Sequence, residues 1–207
     1  MIVAIDAASS DLSLALSAPD GTLVADEAWT SVQRQSAELL PRLLGLLEGH
    51  GHGLGAVTAV AVGTGPGSFT GLRVAMSLAK GICFALERPI HGLPSLAAWL
   101  AAEPDAVAAV ARAGAREAYV LLRDADAPVI VAADQLASRL ATARVVAPGE
   151  LAAAFGLQDA ARPHAAPAIA RAAAERERGD DIATLEPIYL RAPRGVAVEG
   201  EGRVTWL

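Results

Sequence analysis

The chain has 207 residues, of which 53% are hydrophobic, 19% charged and 4% aromatic. This composition is too apolar for a disordered protein, and the length allows one large domain or two small ones, each with an aliphatic core. The net charge of −6 argues against a free-standing RNA-binding protein, because phosphate contacts require Lys and Arg.

The cysteine content and the N-terminus predict a cytoplasmic protein. Cys83 is the single cysteine, so an internal disulfide is excluded and a reducing compartment is expected. The N-terminus has no basic region and reaches an acid at Asp6, which is not the pattern of a signal peptide. The longest apolar stretch, 74–86, contains Lys80 and is too short to span a bilayer, so no membrane partner is expected.

The first half of the chain alternates between strand and helix patterns. Short apolar or alternating runs predict strands, and longer runs with helical spacing predict helices, the first of which contains Pro41. The predicted elements are strands at 2–5, 12–17, 23–25 and 57–62, a glycine-rich loop at 63–67, an extended link at 89–92, and helices at 31–48, 68–87 and 95–102.

The second half begins where the composition changes, around Pro104 and Asp105. Its predicted elements are strands at 107–110, 118–122, 129–131 and 145–146, helices at 135–141 and 169–178, and an apolar motif at 187–191. We therefore predict three regions: an N-terminal lobe at 1–103, a smaller and diverged C-terminal lobe at 104–191, and a flexible glycine-rich tail at 192–207.

A Gly-Pro-Gly loop between a buried strand and a helix has two interpretations. Glycines and the free N–H groups of a helix start favour an anion, which suggests nucleotide phosphate. The specific phosphate motifs fail, since a P-loop needs Lys where Leu72 stands. A tight structural turn is slightly favoured, and a vestigial nucleotide site remains open. Its candidate residues are Asp6, Gly65, Gly67 and Ser68.

The first two helices are more apolar than one packing surface requires. Leucines cover a wide arc of the first helix, and the second has only a narrow polar stripe, with small residues four apart that permit close helix packing. Packing of the two helices on each other and formation of a protein–protein interface are equally supported. The candidate partner-interface residues are Leu39, Leu40, Leu43, Leu47, Gly71, Leu72, Ala75, Met76 and Ala79.

No catalytic or metal site is predicted. The histidines do not have the spacing of metal ligands on a helix. No pair of carboxylates stands out, and an ordinary half-exposed strand face is favoured for Glu117 and Tyr119. The histidines are His50, His52, His91 and His164.

The segment from Gly63 to Arg73, read as Gly-Thr-Gly-Pro-Gly-Ser-Phe-Thr-Gly-Leu-Arg, resembles the signature of the TsaB (YeaZ) family. The resemblance extends to Ala4-Ile5-Asp6, to Ser36 with 39–41, and to 187–191, and so covers about residues 1–191. The sequence departs from the family pattern at Gln35, where a His is common, and at 112–114, before Glu117.

This resemblance implies an α/β fold of the actin-like, sugar-kinase-like (ASKHA) class, with two lobes that each contain a mixed sheet and packed helices. It also implies a non-catalytic scaffold or activator that forms a heterodimer with its catalytic paralogue TsaD. Their complex adds a threonylcarbamoyl group to adenosine 37 of tRNAs that read codons starting with A. The TsaE ATPase belongs to the same system, so ATP is used by the complex rather than bound tightly by this chain. Contact with tRNA is expected to be indirect.

Two other classes of function remain. One is an ATP-binding actin-like enzyme that uses Asp6 and the Gly65 loop. The other is a homodimeric scaffold with a different partner, and a homodimer is also expected when the TsaB-type chain is alone. A glycoprotease, another description given to this family, is not supported by any nucleophile or metal motif in the sequence.

Overall fold

The computed structural model describes residues 1–190, and its first sheet has five strands in the order β3-β2-β1-β4-β5. Strand β1 is buried between an antiparallel neighbour, β2, and a parallel neighbour, β4. The strands are β1 (Ile2–Asp6), β2 (Asp11–Ser17), β3 (Leu23–Thr30), β4 (Ala59–Gly63) and β5 (Ile90–Leu93). The helices of this part of the chain are α1 (Gln35–Gly49), α2 (Phe69–Leu86) and α3 (Ser95–Ala102).

The second sheet repeats the strand order of the first. Its order is β10-β9-β6-β7-β8, with β6 antiparallel to β7 and parallel to β9, as β1 is to β2 and β4. The strands are β6 (Ala108–Arg112), β7 (Glu117–Leu122), β8 (Val129–Ala132), β9 (Arg144–Val146) and β10 (Asp159–Ala161). The helices are α4 (Ala133–Leu140), α5 (Gly149–Phe155) and α6 (Ala166–Ala174). The predicted actin-like, sugar-kinase-like α/β fold, with two mixed sheets and packed helices, is confirmed.

Three hydrophobic clusters divide the molecule into layers. Helices α1 and α2 cover the outer face of the first sheet, and α4 and α5 cover the outer face of the second. A central cluster, which includes Trp99 of α3 and Ile169 of α6, lies between the two sheets. Each sheet is thus covered by apolar side chains on both faces, which explains the nearly continuous apolar sequence of β1 and β4.

Several predicted elements have different boundaries in the structure. Helix α1 begins at Gln35 rather than at residue 31, after Gln33 adopts a positive φ of 58°. The predicted link at 89–92 is strand β5, which pairs with β4. Helix α5 and strand β10 were not predicted from the sequence, because each is short and rich in alanine. The predicted lobe boundary at 103/104 stays a prediction, and the predicted tail at 192–207, like Arg191, lies outside the described residues.

The residues that follow α6 run along the edge of the first sheet, and we call 175–190 the C-terminal strap. Asp180 donates its backbone N–H to the carbonyl oxygen of Ile90 at 2.7 Å, in an antiparallel bridge to the edge strand β5. Its side chain accepts a hydrogen bond from the N–H of Gly92 at 2.7 Å and pairs with Arg176 at 2.8 Å. The strap therefore covers one open edge of the sheet.

Helix α2 is the only helix among residues 1–190 that is long and apolar enough to cross a membrane. This is weak evidence for a membrane span, since the core helices of soluble proteins have the same length and composition. Its inner face packs against strand β4 and helix α1 in the cluster that covers the first sheet. The hydrophobic pattern of α2 thus has an explanation inside the fold.

Candidate functional site

A cleft of about 880 Å³ lies between the two sheets, where loops from both parts of the chain meet. One wall consists of the residues after β1, β3 and β4, including Ser10 and Gln35. The opposite wall consists of the hairpin between β6 and β7, at 112–117, and the start of α5. Tyr189 of the C-terminal strap closes one side. This size suits a small organic ligand.

The glycine-rich loop packs directly on the turn after β1. A Cβ atom on Gly67 would overlap the carbonyl oxygen of Ala8, and one on Gly71 would overlap the carbonyl oxygen of Ala7. The backbone N–H of Ser68 donates to the Ala8 oxygen at 2.7 Å, and the Gly65–Pro66 peptide bond is cis. These contacts require glycine at 67 and 71 whether or not a ligand binds, in agreement with the tight-turn interpretation.

Ser68 caps helix α2. Its hydroxyl accepts a hydrogen bond from the N–H of Gly71 at 3.2 Å. Gly65 has a positive φ of 92°, which favours glycine, and donates its N–H to the Ser95 hydroxyl at 3.0 Å. Polar groups of the predicted nucleotide site therefore already have partners within the fold.

Asp6 points into the protein rather than into the cleft. It is 1% exposed, and its carboxylate accepts hydrogen bonds from Ser95 Oγ and Trp99 Nε1, both at 2.7 Å. Burial raises the pKa of Asp6 above its ordinary value, while the hydrogen bonds from Trp99, Ser95 and the backbone of Ala8 lower it. The carboxylate therefore holds the end of β1 to helix α3 at two positions, Ser95 and Trp99.

The structure brings together only part of the predicted nucleotide site. Gly67 and Ser68 line the cleft, whereas Asp6 and Gly65 do not. Charged and aromatic residues from the second sheet complete the lining, with Arg112 3.9 Å from Glu150 across an exposed ion pair. The charged and aromatic lining residues from the β6–β7 hairpin and α5, which the sequence did not assign to the site, are Arg112, Arg116, Glu117, Tyr119 and Glu150.

The sequence contained only a weak indication that Glu117 and Tyr119 line a common site. Both occupy alternate positions of one strand, β7, and so share a face. That face points to the cleft only because β7 pairs with β6 and the hairpin between them reaches toward the first sheet. Pairing between strands of this kind is not visible in a single sequence.

The C-terminal strap ends on the glycine-rich loop. Ile188 donates its N–H to the carbonyl oxygen of Thr64 at 2.7 Å. The ring of Tyr189 lies 5.4 Å from that of Phe69, the first residue of α2, and the guanidinium of Arg73 lies 4.5 Å from the Phe69 ring. The described part of the 187–191 motif and the glycine-rich segment, two of the segments that carry the family resemblance, are therefore in contact.

Most of the predicted partner-interface residues are buried within the monomer, where the two helices pack on each other and on the first sheet. Leu39, Leu43 and Leu47 of α1 point to the first sheet, because they follow one face of a helix that lies on it. Ala75 and Ala79 of α2 lie in the same cluster as side chains of β4 and α1. Of the predicted set, only Leu40 is exposed, at 41%. Those buried in the monomer are Leu39, Leu43, Leu47, Gly71, Leu72, Ala75, Met76 and Ala79.

The outer faces of the same helices still carry apolar groups. Leu40 and Leu44 are exposed or half-buried on α1. Val74 and Leu78 are half-buried on α2, and Ala85 is exposed about two turns after Leu78 on the same side. We call these five residues the apolar band.

Reactive side chains are few in the described structure. Within residues 1–190, no group of three or more His, Cys, Asp or Glu side chains is arranged to hold a metal ion. Burial raises the pKa of the Cys83 thiol to about 11, so the thiolate that acts as a nucleophile is scarce at neutral pH.

Comparisons with known proteins point in one direction. The family model described as "TsaD: tRNA N6-adenosine threonylcarbamoyltransferase" matches residues 30–138, more than half of the chain. YeaZ from Pseudomonas aeruginosa is 26% identical, with a TM-score of 0.71 over 91% of this chain and 99% of its own. A second solved structure, described as an uncharacterized protein with similarity to peptidase YEAZ from Pseudomonas aeruginosa, is 27% identical. Its TM-score is 0.72, over 92% of this chain and 99% of its own. A search of the curated proteins finds no match.

Proposed function

The chain belongs to the TsaD family, and on that premise we propose that it is a non-catalytic scaffold or activator within the tRNA threonylcarbamoylation system. The resemblance to the TsaB (YeaZ) family predicted from the sequence is confirmed. In the proposed role, the chain forms a heterodimer with the catalytic subunit TsaD. The complex adds the N6-threonylcarbamoyl group to adenosine 37 of tRNAs that read codons starting with A.

The observation that carries the non-catalytic role is the position of Asp6. In actin-like ATPases an acid at the end of the first strand serves a metal-bound nucleotide. Here the corresponding carboxylate is buried and held by Ser95 and Trp99, each at 2.7 Å. Breaking both hydrogen bonds to turn it toward a ligand would cost several kcal/mol, about 1.5–3 for each bond to a charged group. This geometry supports a structural role for Asp6.

The apolar band supports the scaffold role. Apolar side chains that reach the surface on two packed helices are typical of a protein–protein contact. We propose that the apolar band, which includes Leu40 as the exposed member of the predicted set, forms the contact with TsaD. The chain alone would cover the same band by forming a homodimer.

The experiment that tests this function combines the purified chain with the TsaD, TsaE and threonylcarbamoyl-adenylate-forming proteins of its own source. Threonylcarbamoylation of tRNA should require the chain, and the chain alone should modify no tRNA and cleave no peptide. Gel filtration should show a complex with TsaD that Leu40→Glu disrupts while the fold, measured by circular dichroism, remains, because Leu40 is exposed. Modification that proceeds equally well without the chain would refute the proposal.

A second candidate, an ATP-binding actin-like enzyme, is favoured by one observation. The cleft of about 880 Å³ is bordered by Gly67, Ser68 and the start of α2, where helix N–H groups attract anions. Calorimetric titration of the isolated chain with Mg-ATP separates the candidates. We expect no tight binding, because ATP is used by the complex through TsaE.

We propose a cytoplasmic location for the chain, indirect contact with tRNA through TsaD, and no membrane partner. The net charge of −6 supports indirect contact, since direct binding to a phosphate backbone favours basic surfaces. An electrophoretic shift assay with tRNA and the isolated chain tests this expectation.

A further inference from the structure

His91 of the edge strand β5 lies buried beside the C-terminal strap. Its side chain is 5% exposed, and its Nδ1 is shielded from water without a hydrogen-bond partner among residues 1–190. Because residues alternate between the two faces of a strand, Ile90 packs in the outer cluster and His91 points to the inner face, where α6 lies. A buried nitrogen without a partner costs free energy, and such a group in a folded protein calls for an explanation.

The strap is fastened to β5 at the residues on either side of His91. The backbone N–H of Asp180 donates to the carbonyl oxygen of Ile90 at 2.7 Å, and the N–H of Gly92 donates to Oδ2 of Asp180, also at 2.7 Å. Arg176 donates to the Gly92 carbonyl oxygen at 3.1 Å and to the two carboxylate oxygens of Asp180 at 2.8 and 3.0 Å. A charge that appears on His91 would therefore act on the polar contacts that hold the strap.

The charged groups that face His91 come from the strap. Burial lowers the pKa of His91, the positive charge of Arg176 lowers it further, and the negative charge of Asp180 raises it. Strand β4, the neighbour of β5, has no ionisable residue, and α2 packs on the opposite face of the sheet. The charged residue of α6, Arg171, lies against Gly21 in the turn between β2 and β3. A proton on the His91 ring would thus enter a buried site that already contains a guanidinium.

The far end of the strap covers the start of α2 and one side of the cleft. Ile188 donates its N–H to the carbonyl oxygen of Thr64 at 2.7 Å, and the ring of Tyr189 lies 5.4 Å from that of Phe69. Tyr189 also closes one side of the cleft between the sheets. These contacts follow the Asp180 anchor in the same segment, so detachment at Asp180 would remove support from the Tyr189 end.

We propose that the C-terminal strap is an acid-released latch, in which protonation of His91 detaches 175–190 from β5. Release would uncover the edge of β5 and open the side of the cleft that Tyr189 closes. A protonated imidazole repels Arg176 and lacks the water that would solvate it, so the closed strap binds this proton more weakly than the open strap does. Acid therefore favours the open form, and the closed form loses stability as the pH falls below about 6.5, the ordinary pKa of histidine. This latch does not depend on the role proposed above.

Hydrogen exchange of the full-length chain, followed residue by residue by NMR and corrected for intrinsic exchange rates, tests the latch. The backbone N–H groups of Asp180 and Ile188 report on the strap, and those of β1 report on global unfolding. Between about pH 7.5 and about pH 5.5, the protection of the strap amides should fall about tenfold, since opening restores a histidine that titrates near pH 6.5. At both pH values the strap amides should exchange faster than those of β1, because the strap opens by itself.

Three variants separate the His91 proton from a structural effect. His91→Gln keeps a neutral polar side chain that does not titrate, so strap protection should differ by less than about twofold between the two pH values. Arg176→Gln should weaken the strap at neutral pH, but it leaves a protonated His91 facing only Asp180, so acid should no longer open the strap. The matched control is His164→Gln, at a histidine that pairs with Asp26 away from the strap. It should keep the tenfold decrease of wild type.

Four outcomes would overturn the inference. Equal strap protection at the two pH values in wild type would show that acid does not act on the strap. A decrease that persists in His91→Gln would assign the response to another group. Equal exchange rates for the strap and β1 amides would show that the strap opens only when the whole protein unfolds. If His91→Gln does not fold, NMR titration of the His91 ring in wild type decides, and a midpoint at or above about pH 6.5 would contradict the latch.

Discussion

Replacing Trp99 with phenylalanine removes one hydrogen-bond donor from a carboxylate that water does not reach. Trp99 is fully buried, and its Nε1 lies 2.7 Å from Oδ2 of Asp6. Loss of a hydrogen bond to a charged group costs about 1.5–3 kcal/mol. The smaller ring leaves a cavity that adds roughly 1 kcal/mol. We therefore expect the free energy of unfolding to fall by about 3 kcal/mol at about pH 8.

The loss should be smaller in acid. Burial holds the pKa of Asp6 above its ordinary value, so the folded chain binds this proton more tightly than the unfolded chain, and stability falls as pH rises through the folded pKa. The Trp99 hydrogen bond opposes that shift, so its removal raises the folded pKa further. The free energy of unfolding of the variant should therefore fall more steeply with rising pH than that of wild type. The difference between the two free energies should be larger at about pH 8 than at about pH 5.

Urea unfolding followed by circular dichroism at the two pH values measures both effects. Trp29→Phe is the matched control, because Trp29 donates its Nε1 to Glu38 at 3.0 Å where water also solvates the carboxylate. It should lose less stability, with the same deficit at both pH values. An equal deficit for Trp99→Phe at both pH values, or one under about 1 kcal/mol at about pH 8, would refute the role assigned to Asp6.

Further predictions concern packing and reactivity. Ala75→Glu should unfold the chain, since it buries a charge without a partner at a cost of more than about 4 kcal/mol, whereas Ser77→Glu on the exposed face should stay folded by circular dichroism. Gly67→Ala should lower the unfolding temperature by forcing the glycine-rich loop away from the β1–β2 turn, while Gly45→Ala, with nothing nearby, should raise stability by about 0.5–1 kcal/mol. Cys83 should react with a disulfide reagent only after denaturation; rapid labelling of the folded chain would contradict its buried, raised-pKa environment.

The sequence predicted those parts of the fold that depend on local patterns. Runs of β-branched and alternating apolar residues located most of the strands, and the glycine-rich segment correctly marked a turn that joins a buried strand to a long helix. The contiguous match over 63–73 then placed these elements in a known two-lobed architecture.

The candidate site was harder to predict because long-range contacts build it. Asp6 meets Ser95 and Trp99 across separations of 89 and 93 residues, and nothing near Asp6 in the sequence distinguishes a ligand-binding carboxylate from a buried one. Helical periodicity identified the apolar arc of α2. It could not reveal that the small residues around Ala75 face the monomer's own sheet and α1, so that only the remaining surface faces solvent.

The C-terminal strap lies at the end of the sequence, so part of the first sheet is left uncovered while the protein is being synthesised. The first sheet is complete in sequence once Leu93 has been synthesised, but two of its covers, α6 and the strap, come from 166–190, after the whole second sheet. On the ribosome, the nascent first lobe therefore exposes the edge of β5 and the inner face against which Ile169 will pack. Uncovered edges and apolar faces on nascent chains attract other chains, which makes this interval the time when the protein most needs a chaperone.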